Sequence, residues 1–270
     1  MLKTAGLILN SQNENAVRCA EHAAAFMQKY KITSFNPQSE GWHSAPDLII
    51  TFGGDGTLLI GARYAMQYDI PLLGINLGTV GFLTEEDPEH LEDALETIIE
   101  GRYQIESRHL LHIINPRSGN EFYALNDAVI TRGGYARLIR VDAYVNKKEY
   151  GTFTADGIIV ATPTGSTGYS LSAGGPIVEP EMNCMIITPV CSHSMQHCPC
   201  IVSENADIRL HLNPDREQTA ELQIDGQSME SLKAGDEIHV TGTEKKIRLI
   251  RIHPYDFFGL MRRKLSEWGT

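Results

Sequence analysis

A chain of 270 residues, 42% hydrophobic and 21% charged, can bury a substantial core in one large domain or two ordinary ones. Its formal net charge of −11 excludes the broad basic face needed for binding along a nucleic-acid backbone. No apolar run approaches the ~20 residues of a membrane-spanning helix. The five cysteines, four of them between positions 184 and 200, form no disulfide framework and suit a reducing cytoplasm.

In chain order, residues 4–9 read as a buried strand. The apolar Leu7-Ile8-Leu9 run ends in Asn10-Ser11-Gln12-Asn13-Glu14, too short for an export signal. Residues 13–29 read as a helix with Val17, Ala20, Ala24 and Met27 on one face. Residues 48–52 are a β-branched apolar run expected to be buried on both faces, followed by a helix over 57–66 and a further strand over 71–75. Asp87-Pro88 opens a helix to residue 100, with Asp as N-cap and Pro in the first position. This alternation implies an α/β domain with a largely parallel sheet over residues 1–101.

After Gly101 the pattern changes to short strands: 124–131, 138–145, 149–154, 157–161, 185–189, 208–212, 221–224, 237–241 and 248–252. Turn signals such as Asn146-Lys147-Lys148 and Asp225-Gly226 separate them. Residues 102–255 are therefore expected to form a β-rich, sandwich-like domain. Residues 256–270 return to helical spacing and are expected to pack back on the first domain.

Two glycine-rich segments carry chemistry. Gly53-Gly54-Asp55-Gly56-Thr57 lies between a strand and a helix. Glycines there let main-chain N–H groups approach a phosphate, and the helix start adds partial positive charge. Asp55 is placed to take a proton from an attacking hydroxyl. Taken alone, the turn could equally be an ordinary strand-to-helix connection capped by Asp55 or Thr57. The second segment runs from Asp156 to Pro176 through Thr162-Pro163-Thr164-Gly165-Ser166-Thr167-Gly168-Tyr169-Ser170. Its hydroxyls and bare amides suit ribose and adenine edges, and Tyr169 offers a stacking face. The sequence contains no Gly-Lys pair, so a Walker A loop is excluded, and Gly74, Gly78 and Gly81 have the wrong offsets for a Rossmann fingerprint.

These segments occur in order with residues 74–84 (GINLGTVGFLT), the pair Asn126-Asp127 and residues 187–194 (ITPVCSHS). Together they resemble the NAD kinase family, over most of the chain from Leu48 onward. The GGDGT turn by itself is shared with phosphofructokinases and lipid kinases; the later blocks are more specific. The resemblance implies two domains, α/β and β-sandwich-like, and transfer of a phosphoryl group from ATP, or another donor such as polyphosphate, to the adenosine 2′-hydroxyl of NAD. It makes Asp55 the base and sets Gly56 beside the pyrophosphate, with Gly53, Gly54 and Thr57 completing a phosphate cradle. Asn126 and Asp127 would contact adenosine, Asp127 standing where Glu is common. Asp156 would lie near the nicotinamide end; Thr164, Thr167, Gly168, Tyr169, Ser170, Leu171 and Ser172 would meet adenine and ribose. Arg137, Thr154, Cys191 and Gln227 match more loosely. The resemblance also implies a divalent cation, Mg²⁺, arriving with ATP, and a homodimer or homotetramer.

Other readings compete. Cys191, His193, His197, Cys198 and Cys200 crowd together, but their spacing fits no usual zinc pattern and reads as a loop with buried thiols. The hexapeptide 115–120 reads as a hairpin loop, and Arg262-Arg263-Lys264 as a solvated helix face. A lipid or sugar kinase on the same turn would need a membrane-seeking helix or an arginine-rich pocket, and neither is present. A non-catalytic dinucleotide sensor would have no use for Asp55.

Overall fold

The computed structural model describes residues 2–41, 45–78, 81–133, 138–192, 198–215 and 217–268, with backbone only at 40, 265, 267 and 268. The chain divides into two compact units between Ser107 and Arg108 and again between Lys246 and Ile247. Both divisions fall inside long strands, not at Gly101 and Asp256.

The first unit contains β1 (Thr4–Leu9), α1 (Glu14–Lys29), β2 (Thr33–Phe35), α2 (Pro37–Glu40), β3 (Leu48–Phe52), α3 (Asp55–Tyr68), β4 (Leu72–Ile75) and α4 (Leu91–Ile99). Strands pair in the order β2-β1-β3-β4, all parallel, and Leu249 of the last strand pairs in parallel with Leu72. Every residue of β3 and β4 is buried, as expected for strands covered on both faces. Leu48, Ile50, Phe52, Leu73 and Ile75 pack with α1 and α4. Gly61 of α3 lies against Thr51 and Leu72, where a Cβ would meet the Thr51 methyl at 2.4 Å, so α3 presses closely on the opposite face.

Asn13 caps α1 through its side chain. The buried face of α1 is Ala16, Cys19, Ala20, Ala23, Phe26 and Met27. Ala20 and Met27 of the expected stripe are buried and Ala24 packs half-buried against the same core; Val17 is half-buried, while Ala16, Cys19, Ala23 and Phe26 widen the face. Asp87 stands at the N-cap and Pro88 in the first turn, as expected, but of a 3₁₀ turn (Pro88–His90) that runs into α4; the Asp87 side chain makes no capping bond, and its carboxylate accepts from Asn76 Nδ2 at 3.4 Å.

The second unit is built from strands, and a later helix belongs again to the first. They are β5 (Gln104–Asn115), β6 (Asn120–Ala124), β7 (Asp127–Arg132), β8 (Ile139–Val145), β9 (Lys148–Ala155), β10 (Gly157–Ala161), α5 (Tyr169–Ser172), β11 (Cys184–Val190), β12 (Cys200–Ser203), β13 (Ile208–Leu212), β14 (Thr219–Ile224), β15 (Gln227–Lys233), β16 (Glu237–Arg251) and α6 (Phe257–Trp268). β5 and β16 each begin in one unit and end in the other. An antiparallel sheet in the order β12-β11-β10-β7-β14-β15 shares a core with β16-β13-β8-β9 and β5. Ile130, Ile158, Val160, Ile187 and Leu222 meet Val141, Phe153, Leu210 and Ile238 there, the interdigitation of a sandwich. The opposite face of β10, Ile159 and Ala161, packs with Val178, Ile186 and Val190.

The expected strand over 124–131 is two strands, and those over 237–241 and 248–252 are one. Residues 115–120 form the hairpin loop between β5 and β6. Among the described residues, no helix is long and apolar enough to cross a membrane.

Candidate active site

The turn after β3 sets Asp55 at the first position of α3, with Gly54 as a cap that has no side chain to bond. Gly53 donates its N–H to Ile75 O at 3.0 Å, tying the turn to the end of β4. A Cβ on Gly53 would lie 2.2 Å from Thr57 Oγ1, so the glycine lets the helix start fold over the turn. Gly54 and Gly56 face open space. This is the geometry in which first-turn N–H groups and the helix dipole favour an anion.

The Asp55 carboxylate is held from another segment. Phe82 N–H donates to Oδ2 at 2.8 Å and Leu83 N–H to Oδ1 at 3.0 Å. Gly81 lies so close that a Cβ would stand 2.1 Å from Asp55 Oδ1. Thus residues 81–83 orient the carboxylate, a role that spacing alone did not reveal.

In the second unit, Asn126 and Asp127 sit where β6 gives way to β7. Asp225, in the β14–β15 turn, accepts the N–H groups of Leu125, Asn126 and Asp127 at 3.0, 2.7 and 3.1 Å. Its backbone is left-handed (φ 47°), a conformation Asp tolerates. The sequence marked Asp225 only as a turn residue. Thr162 bonds the other side, donating N–H to Asn126 O at 2.8 Å and its hydroxyl to Leu125 O at 2.6 Å. Gly165 rests on Asn126 O, where a Cβ would be 2.1 Å away. The Asn126 Oδ1 atom is buried and has no donor among the described residues.

Asp127 is 5% exposed, and burial followed by the nearby Asp225 charge pushes its pKa up to about 7. Asp156 pairs with Arg132, Nε to Oδ1 at 2.9 Å. The Tyr169 hydroxyl is raised by burial, then by Cys191, Asp156 and Asp127. Four candidate residues therefore share one electrostatic neighbourhood.

The segment after β10 forms a 3₁₀ turn at Thr164–Thr167 and then α5. Tyr169 and Ser172 are exposed, and Thr167, Gly168 and Leu171 half-buried. The Ser170 hydroxyl is buried and bonded to Thr188 Oγ1 at 2.8 Å, while buried Thr164 accepts from Arg108 Nη1 at 3.4 Å. Thr154 lies on β9, two residues before Asp156 in the bend between β9 and β10, and Gln227 is exposed at the start of β15. Arg137 lies outside the described residues, as do Thr79, Val80, His193 and His197. The expected buried thiols are a correction: Cys191 and Cys198 are exposed and Cys200 half-buried, because the chain leaves the sheet after Val190. No cluster of three or more metal-ligating side chains occurs among the described residues.

An α/β unit with a glycine-set carboxylate, joined in one chain to a sandwich unit lined with hydroxyls, marks a phosphotransferase acting on a nucleotide. Two family models match, the ATP-NAD kinase N-terminal domain over residues 11–103 and the ATP-NAD kinase C-terminal domain over residues 125–252. The chain is 38% identical to an NAD kinase of Heliobacterium modesticaldum, covering 98% of this chain and 99% of that protein. It is 39% identical to an NAD kinase of Geotalea daltonii over 90% and 86%. A crystal structure of yeast NADH kinase complexed with NADH has a TM-score of 0.86 at 24% identity, covering 98% of this chain and 88% of that one. An Archaeoglobus fulgidus NAD kinase in complex with ATP has a TM-score of 0.77 at 27% identity, covering 97% and 98%. The chain belongs to the NAD kinase family, enzymes that phosphorylate NAD to NADP.

Proposed function

We propose that Asp55 is the general base that removes the proton from the adenosine 2′-hydroxyl of NAD as that oxygen attacks the terminal phosphorus of ATP. The observation that carries this is the carboxylate at the glycine-lined start of α3, fixed by two peptide N–H groups. Gly53, Gly54, Gly56 and Thr57 form the cradle for the phosphates. Asn126, with its unpaired buried acceptor, and Asp127 take the adenosine; Asp156 takes the nicotinamide end; Thr164 and residues 167–172 form the surrounding wall. Arg137, Thr154, Cys191 and Gln227 belong to the same proposal as outer contacts.

The reaction needs little covalent participation from the protein. The 2′-oxygen forms a bond to phosphorus, the bond to the β–γ bridging oxygen breaks, ADP leaves, and the proton passes to Asp55. Positioning supplies most of the acceleration, and the base adds ~10²–10⁴-fold. The divalent cation, Mg²⁺, arrives with ATP as part of the nucleotide substrate. The five free cysteines suit a cytoplasmic setting. Assembly as a homodimer or homotetramer, implied by the family resemblance, is part of the same proposal.

The test is an assay of NADP formation from NAD and ATP, run on wild type and Asp55→Asn. The variant is expected to bind NAD as wild type does and lose nearly all turnover. A variant with the wild-type rate overturns the assignment of the base.

A further inference from the structure

Behind the segment that holds Asp55 lies a buried charge cluster. Arg251, at the end of β16, is 4% exposed. Its Nη1 donates to Glu85 Oε2 at 2.8 Å and to Leu83 O at 3.2 Å, and its Nε to Glu106 Oε2 at 2.5 Å. The guanidinium also lies over the Tyr255 ring, 4.5 Å from its centroid. Glu85 in turn accepts the N–H groups of Ile252 and His253 at 2.7 and 2.9 Å. The backbone of Leu83 is thus held on both sides of its Cα. Its N–H donates to Asp55, and its C=O accepts from Arg251.

Burying one cation between two carboxylates contributes little net stability compared with a packed apolar core, so this cluster is not explained by stability alone. What it does supply is direction. A guanidinium offers donors in a fixed planar fork, and two of its bonds here, one to Glu85 and one to Leu83 O, end on the segment that orients Asp55.

We propose that Arg251, seated by Glu85, is a positioning residue that sets the proton-accepting geometry of Asp55 through the backbone of Leu83. The proposal rests on the reading of Asp55 as the base. Loss of the fork lets the Leu83 N–H, and with it the carboxylate, swing from the line of proton transfer, while NAD contacts elsewhere persist.

The test compares Arg251→Lys, Glu85→Gln and Glu106→Gln by melting temperature and by kcat and KM for NAD. Arg251→Lys keeps the charge without the fork, and Glu85→Gln keeps an acceptor for Ile252 and His253. Both are expected to lower kcat by roughly 10–100-fold with KM unchanged. Glu106→Gln, which meets the guanidinium at Nε and not at Nη1, should lower the melting temperature comparably with a much smaller change in kcat. If Arg251→Lys does not fold, Glu85→Gln decides the matter. Wild-type kcat in the folded variants, or losses that follow melting temperature across all three, would overturn the proposal. Loss of turnover in Asp55→Asn alongside those outcomes would leave the base intact and reject only the positioning role. Retained turnover in Asp55→Asn would reject the base itself.

Discussion

The two units treat their central carboxylates in opposite ways. In the first, peptide N–H groups of Phe82 and Leu83 are spent on Asp55 itself. In the second, the comparable donors of Leu125, Asn126 and Asp127 go to Asp225, and Asp127 lies buried beside that carboxylate with a pKa near 7. Backbone donors therefore fix a side-chain carboxylate in one unit and the shape of the β6–β7 junction in the other. Under the proposed function, an Asp127 half-neutral near pH 7 exchanges a hydrogen bond with a sugar hydroxyl rather than carrying a permanent charge.

The largest effect that should sharpen this contrast comes from Gly81→Ala. The added methyl meets the tips of the Asp55 and Thr84 side chains, which can move, and no backbone within the same distance. The fold should survive while Asp55 is displaced, so kcat is expected to fall ~10²-fold or more with a normal circular-dichroism spectrum. An unaltered kcat would mean that the 81–83 segment does not orient the base.

A smaller effect concerns Asp127→Asn. The folded-state pKa is raised to about 7, above the ~3.9 of an unfolded Asp. Protonated Asp127 thus contributes stability that is fully present below ~pH 4 and is lost as pH rises through about 7. The Asn variant lacks that loss. Its melting temperature should exceed wild type by a few degrees at ~pH 8 and match it near ~pH 4, while KM for NAD rises. Parallel melting curves across this range would show that Asp127 is not held in the state described.

Much of this was legible in the sequence where chemistry is local. The apolar runs of β3 and β10 identified fully buried strands, and the glycines around Asp55 identified the turn. What was not legible depends on distant partners. The strand expected over 124–131 breaks because Asp225, about a hundred positions away, takes the N–H groups of residues 125–127. β16 runs unbroken through the gap left between the strands expected over 237–241 and 248–252; there Gly242 closes on Glu204 O, leaving only 2.5 Å for a Cβ. β5 and β15 carry polar residues along exposed stretches, so no apolar alternation announced them. Of the proposed site, Asp55, Asn126 and Asp127 were singled out from motifs. Their supports depend on main-chain groups that no residue pattern encodes: Leu83 offers its own N–H, while Thr162 and Asp225 bond the backbone of residues 125–127.

The most direct test of the central claim is a crystal structure of Asp55→Asn with NAD and ATP bound. The account predicts the adenosine 2′-oxygen within roughly 2.6–3.2 Å of the residue 55 side chain, with the terminal phosphorus of ATP in line behind it. A 2′-oxygen lodged away from residue 55 and facing a different titratable group would contradict it.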